Sequence, residues 1–94
     1  MTTYQKIIQH SVDNSDVSTE DHLIEECSEL IKELCNEKRG RESFILLEMA
    51  DLLFQIDKYL FLHGISTEQL KMLSIDKTNV KFPGLLQTFN NPLQ

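Results

Sequence analysis

Glycine, proline and cysteine are scarce in this chain: three, two and two among 94 residues, with no tryptophan. So little punctuation predicts long helices rather than a turn-rich β fold. Two cysteines cannot build a disulfide framework. Cys27 and Cys35 lie eight positions apart on one predicted helix, roughly 12 Å along its axis and beyond disulfide reach. They read as small buried hydrophobes in a reducing cytosol. No run of 18 uncharged apolar residues occurs, so no membrane span is expected. Met1-Thr2-Thr3-Tyr4-Gln5-Lys6 lacks the apolar core of a signal peptide, which makes a cytoplasmic location the expectation. Positive charge is also short, with 9 Lys+Arg against 15 Asp+Glu and a net charge of −6. That field repels nucleic-acid phosphates, so a phosphate ligand would need a metal bridge or a local basic pocket. CxxC, HExxH, GxxxxGK[ST] and GxGxxG motifs are all missing.

Hydrophobic residues make up 40% of the chain, enough to predict one packed domain. A domain this short buries a modest share of its surface, so a homo-oligomer, dimer or tetramer, is expected. The pattern is all-α. A first helix is predicted over about Thr3 to Ser11, followed by turn material at Asp13-Asn14-Ser15-Asp16. Ser18-Thr19-Glu20-Asp21 reads as a capping box that opens a second helix, about Thr19 to Glu37. Leu23, Ile24, Cys27, Leu30, Ile31, Leu34 and Cys35 form its apolar arc. Glu25, Glu29, Lys32, Glu33 and Asn36 fall on the opposite, solvated side, and Glu26 near the border. Glu33→Gln would on that reading do little. Lys38-Arg39-Gly40-Arg41 ends the helix with basic residues and a left-handed glycine cap.

The third helix, about Glu42 to His63, is apolar at 14 of the 21 positions from Ser43 to His63. Such a helix should be buried on most sides, and one hairpin cannot cover it. A second subunit is expected on Phe44, Leu47, Phe54 and Phe61. Its polar residues Glu48, Asp51, Gln55 and Lys58 form one narrow stripe. Gly64 stops it, Ser66-Thr67-Glu68-Gln69 caps a fourth helix to about Asp76, and residues from about 77 to 94 read as an irregular tail in which Phe82, Leu85, Leu86 and Phe89 dock.

A short basic turn makes the second and third helices an antiparallel hairpin. Facing residue numbers should sum to about 79. The midpoints of Glu26/Glu29 and Glu48/Asp51 sum to 77, so the two i,i+3 carboxylate pairs stand at nearly one level. Four converging carboxylates repel one another and raise each other's pKa. A hard divalent cation relieves that, and all-oxygen ligands favour Mg²⁺, Mn²⁺ or Ca²⁺ over zinc. The alternative is a Glu-rich solvated helix face. Glu48 and Asp51, interrupting an apolar helix where Leu would pack better, argue for a site. Lys58 lies about two turns further along the stripe, placed either to contact a terminal phosphate or to snorkel at the helix edge. His22, one turn before Glu25 and Glu26, is placed either to help bind a softer metal as H-x-x-E or to stay a partly exposed neutral side chain, the reading the pattern favours.

Glu25-Glu26-Cys27-Ser28-Glu29 is an E-E-x-x-E motif, and Glu48-Met49-Ala50-Asp51 follows after 18 residues as E-x-x-D. In these motifs, in Leu30 and Leu34, and in the closing Gly64-Ile65, the stretch from about 19 to 79 resembles the MazG-like all-α nucleoside triphosphate pyrophosphohydrolases. The resemblance implies Mg²⁺-dependent cleavage of a (deoxy)nucleoside triphosphate between its α and β phosphates, giving monophosphate and pyrophosphate. It implies Glu26, Glu29, Glu48 and Asp51 as catalytic metal ligands, with Glu25 as an outer-shell residue. Lys77 and Asn79 fit loosely the Lys and Asn that such proteins carry after the last helix; the Arg that often follows is absent. A di-iron bundle is disfavoured because neither Glu29 nor Glu48 has His at i+3. The competing reading is a non-enzymatic helical interaction module whose acidic residues are a remnant metal site.

Overall fold

The computed structural model describes residues 1–90. They form five helices and no strand: α1 (Thr3–Asn14), α2 (Thr19–Lys38), α3 (Ile45–Leu62), α4 (Thr67–Lys81) and α5 (Leu85–Asn90). The all-α class is as the sequence predicts. The chain divides into two compact units, Met1–Gly64 and Ile65–Gln94.

Local signals set most helix ends. Thr2 and Gln5 form a full capping box on α1, and Ser66 and Gln69 another on α4. The Ser18 hydroxyl accepts from the Asp21 N–H at 3.1 Å to open α2. Each satisfies N–H groups that a helix start leaves without intrahelical partners. Gly40 and Gly64 follow α2 and α3 with φ of +70° and +67°, the left-handed region that a side chain resists. Two predicted boundaries move. α1 runs on to Asn14, whose side-chain amide donates to the His10 carbonyl at 2.8 Å and prolongs the helix into the predicted turn. The predicted irregular tail is largely helical: α4 continues to Lys81, and α5 follows Gly84. No proline interrupts 66–82, so nothing obliges α4 to stop at Asp76. In this second unit Phe82, Leu86 and Phe89 are exposed and Leu85 is half-buried. Asn91 and Pro92, also read as tail, lie outside the described residues.

In the first unit, α1 and α2 both pack on α3. The α1 contact is a set of side-chain locks. Tyr4 meets Phe54 edge-on, with ring centroids 5.9 Å apart, and its hydroxyl donates to Asp57 Oδ2 at 2.8 Å. Burial and the neighbouring Asp57 push the phenol up to about 12. Ile8 is buried, and Lys58 donates from Nζ to the Ser11 hydroxyl at 3.0 Å.

The α2–α3 hairpin is antiparallel with a fixed register. Glu33 Oε2 accepts from the Phe44 N–H at 2.9 Å, so facing residue numbers sum to 77 rather than 79. This bond explains how α3 begins. Phe44 occupies its N-cap position and makes no side-chain cap, and the N–H there is taken by a carboxylate from the preceding helix instead. A negative charge at a helix N-terminus is also favoured by the aligned peptide dipoles.

The surface that α2 turns inward differs from the apolar arc. Thr19 and Glu33 are buried, and His22, Glu26, Glu29 and Leu30 are half-buried. Ile24 and Ile31 are 64% and 61% exposed. Relative to the arc, the helix is rotated by roughly 120° about its axis. Two expectations fall with this. Glu33 is not on the solvated side but only 8% exposed. Cys27 and Cys35 are free but exposed, not buried. The cause is the seam itself: positions 19, 22, 26, 29 and 33 of α2 face 44, 48, 51, 55 and 58 of α3, and all of them except Phe44 are polar. Much of the apolar surface is thereby left outside, while Leu23 and Leu30 stay half-buried. Leu46 is 80% exposed, and Leu47, Met49 and Leu53 are also open. Within this chain α3 is not buried on most sides.

Glu33→Ala should therefore destabilise the fold by about 1–2 kcal/mol, since a hydrogen bond to a charged group inside the hairpin is lost. Glu33→Gln, which keeps an acceptor oxygen, should lose less. Urea denaturation followed by circular dichroism measures both; equal stability of all three proteins would show that the bond contributes nothing.

Candidate metal centre

The middle of the α2–α3 seam carries the acidic residues. Glu26 on α2 and Glu48 and Asp51 on α3 each offer one carboxylate oxygen, and the three oxygens lie within 4.8 Å of one another. Glu26 and Glu48 are half-buried and Asp51 is exposed, so the group opens to solvent on one side. Glu48 and Asp51 share a face because they are three apart on a helix. Glu26 joins them because the register set at Glu33/Phe44 puts it level with Asp51.

The electrostatics follow from that placement. The Glu26 carboxyl is held above its ordinary range, first by partial burial, then by the charges of Asp51, Glu48, Glu25 and Glu29. The Glu48 carboxyl is also raised, by desolvation and by Asp51, Glu29 and Glu33, against a smaller lowering by Lys32. The only ion pair among the described residues is Lys71–Glu68 on α4. No lysine or arginine therefore bridges the three carboxylates.

Three oxygens so placed fit a hard cation. Ligand oxygens around an octahedral Mg²⁺ at about 2.1 Å stand about 3 to 4.2 Å apart, close to the 4.8 Å within which these three lie. Three protein carboxylates leave coordination positions for water or phosphate oxygens. Zinc, which takes nitrogen and sulfur ligands readily, has no thiolate in the group.

The other residues singled out in the sequence fall in three places. Glu29 is half-buried on the same seam and raises both Glu26 and Glu48, but its carboxylate is outside the converging group. Glu25 is exposed beside it. Lys58 is 1% exposed. Its ammonium is bound to Ser11 on α1, about two helical turns from Asp51, and it does not snorkel to the surface. Lys77 and Asn79 lie on α4 in the second unit, both exposed. Lys77 flanks a groove with Leu73, Lys81 and Phe82, and Asn79 borders an apolar pocket with Ile75, Leu86 and Phe89.

Two residues next to the carboxylates were not singled out as a pair in the sequence. His22 Nδ1 and Gln55 Oε1 are buried atoms without a hydrogen-bond partner among the described residues. The signal was present in the 3,4 spacing of the polar positions on both helices, which places His22 opposite Gln55. No protein-family model matches the sequence, and no curated protein or solved structure matches it significantly.

The raised carboxyls make stability depend on pH with a definite sign. A native carboxyl that holds its proton more tightly than the unfolded one stabilises the fold at low pH. That contribution is lost as pH rises from about the ordinary value of 4.5 through the raised native value. In chelator-containing buffer, Glu48→Gln should thus match wild type near pH 4 and become the more stable protein as pH rises to 7. Thermal melts across that range measure the difference; a gap independent of pH would show that Glu48 feels no such repulsion.

Proposed function

We propose that the protein is a Mg²⁺- or Mn²⁺-dependent nucleoside triphosphate pyrophosphohydrolase that cleaves between the α and β phosphates to release monophosphate and pyrophosphate. The observation that carries this reading is the convergence of Glu26, Glu48 and Asp51, from the E-E-x-x-E and E-x-x-D motifs, within 4.8 Å in the hairpin seam. The similarity of those paired motifs to the MazG-like family supplies the reaction. The geometry is compatible with it.

Glu26, Glu48 and Asp51 would hold the cation, and Glu29 would add charge beside it or join it after a side-chain rotation. When bound, the cation supplies neutralisation of phosphate charge and activation of a water molecule. The carboxylates fix where that charge sits. Their position between two packed helices limits their rotamers, which favours positioning over flexibility. Glu25, exposed on the flank, orients Glu26 electrostatically at most. Lys58 enters no step of this reading because its ammonium is engaged by Ser11, and Lys77 and Asn79 belong to the second unit.

The exposed apolar faces of α2 and α3 support a homo-oligomer in the same reading. Ile24, Ile31, Leu46, Leu47 and Leu53 are more apolar surface than a monomer of this size usually leaves to water. That surface also favours the second reading, a helical interaction module with a remnant metal site. No described helix is long and apolar enough to cross a membrane.

A panel of nucleoside and deoxynucleoside triphosphates, incubated with Mg²⁺ and read as pyrophosphate and monophosphate, tests the reaction. Turnover should vanish with chelator, and Glu48→Gln and Asp51→Asn should each lower it at least a hundredfold while the circular dichroism spectrum is kept. Hydrolysis by Glu48→Gln at the wild-type rate, or none by wild type on any member of the panel, favours the interaction module. Light scattering should give a multiple of the 10.9 kDa chain mass; a stable monomer at micromolar concentration contradicts the oligomer.

A further inference from the structure

The outward face of α2 is patterned as well as exposed. At about 100° per residue, Glu20, Ile24, Cys27, Ile31, Cys35 and Lys38 fall within about 40° on either side of Ile31. All six are exposed. The isoleucines and cysteines occupy the middle of this stripe, with Ile24 and Ile31 64% and 61% exposed. Its charges stand at the two ends, Glu20 in the first turn of the helix and Lys38 in the last. Neither is in an ion pair among the described residues. The thiols of Cys27 and Cys35 are free, and they lie one turn before and one turn after Ile31.

Such a stripe is complementary to itself when reversed. A second α2 laid antiparallel on the first, about a two-fold axis at Ile31, brings level those residues that lie equally far before and after that position. Ile31 then meets its own copy, and Cys27 meets the partner's Cys35. Glu20 stands one turn, about 6 Å along the axis, from the partner's Lys38 and on the same side of the contact, a gap that two long side chains span. The symmetry makes that pair twice. Aligned peptide dipoles favour the same arrangement, because the positive start of each helix lies beside the negative end of the other. A parallel pairing would instead set Glu20 against Glu20 and Lys38 against Lys38. An apolar centre between one acidic and one basic end is what a self-complementary two-fold face requires. That charge pattern is the reason to assign this face to a second copy of the chain.

We propose that the outward face of α2 docks on the same face of a second copy of this chain, antiparallel about Ile31, with Cys27 of each chain against Cys35 of the other. This rests on the homo-oligomer reading above and names its face and contacts; neither the cation nor the reaction enters it. At an interaxial distance of about 8–9 Å, the Cα atoms of Cys27 and the partner's Cys35 stand about 5–6 Å apart, inside the range that a disulfide bridges. Within one chain the two cysteines are roughly 12 Å apart along the axis, so a disulfide between them joins two chains. Hydrogen peroxide forms it in balance. One thiol is oxidised to a sulfenic acid with release of a water molecule. The facing thiol then attacks that sulfur and displaces its hydroxyl as a second water, leaving the S–S bond.

The test is oxidation of the full chain with hydrogen peroxide, read by non-reducing electrophoresis and by mass spectrometry of the linked peptides. Wild type should give a covalent dimer joined from Cys27 to Cys35 and reversed by a thiol reductant. Cys27→Ser and Cys35→Ser should each lose the cross-link altogether, because like cysteines stand about 12 Å apart along the paired helices. Bridges from Cys27 to Cys27 or from Cys35 to Cys35 would overturn the antiparallel docking. In reduced protein, Ile31→Glu should raise the dissociation constant of the assembly about thirtyfold or more by sedimentation, with an unchanged circular dichroism spectrum, since this side chain faces water within the chain. Glu20→Lys and Lys38→Glu should each weaken assembly about threefold, and the two together should restore it. An oligomer that peroxide does not cross-link and Ile31→Glu does not weaken overturns this inference and leaves the homo-oligomer reading standing. A chain that stays monomeric at micromolar concentration removes both.

Discussion

The bond from the Phe44 N–H to the Glu33 carboxylate is small, and the geometry of the first unit follows from it. It joins the end of α2 to the beginning of α3 across a turn of a few residues, and it does so with the group that a helix start most needs to satisfy. Once that contact is made, the antiparallel register is set for the whole hairpin. Every 3,4 step along one helix then meets a 4,3 step along the other. Glu26 falls level with Asp51 and His22 with Gln55 for no further reason. Moving the register by one residue would rotate these partners off the seam and separate the three carboxylates.

That register also explains why the apolar residues lie where they do. A seam filled with Thr19, His22, Glu26, Glu29 and Glu33 cannot also contain Ile24, Ile31 and Leu34, which sit a third of a turn away. The hydrophobic effect normally decides which face of a helix is buried first. Here only Ile8 and Leu60 are fully buried hydrophobic residues among those described. The packing energy that would hold a hairpin together is displaced to its outside, where another apolar surface has to supply it. The polar seam and the open apolar faces are thus one fact seen from two sides.

Much of the helical order was legible in the sequence. Ser66 with Gln69, Gly40 and Gly64 are local signals whose meaning does not depend on distant residues, and they hold. The facing of E-E-x-x-E and E-x-x-D also held to within two residues, because a short turn leaves a hairpin little choice of register. What could not be read was the rotation of α2. The apolar arc predicts the buried face, and with it a solvated Glu33 and buried Cys27 and Cys35, the reverse of what the seam produces. An apolar arc reports which side of a helix avoids water, not which neighbouring helix lies against it. The depth of Lys58 was hidden for a related reason: its partner Ser11 is 47 residues away on α1, and no spacing rule reports such a meeting. The continuation of α4 to Lys81 carries no local mark, because Pro83 and Gly84 break the helix only beyond Phe82.

The seam is unevenly satisfied along its length, and the unevenness is informative. At one end Glu33 is bonded to Phe44. At the other Lys58 is bonded to Ser11, and α1 is locked there by Tyr4 against Asp57 and Phe54. Between these ends stand two buried atoms without a hydrogen-bond partner among the described residues and three carboxylates, of which Glu26 and Glu48 are raised by their neighbours. A chain under selection for stability alone would fill those middle positions with leucine, which packs without repulsion and suits a helix better than aspartate. Natural sequences violate local folding rules mainly where function requires it. The two satisfied ends supply the rigidity that lets the unsatisfied middle persist. The electrostatic cost of the seam is thus concentrated at Glu26 and Glu48, whose carboxyls are raised by desolvation and by Asp51 beside them.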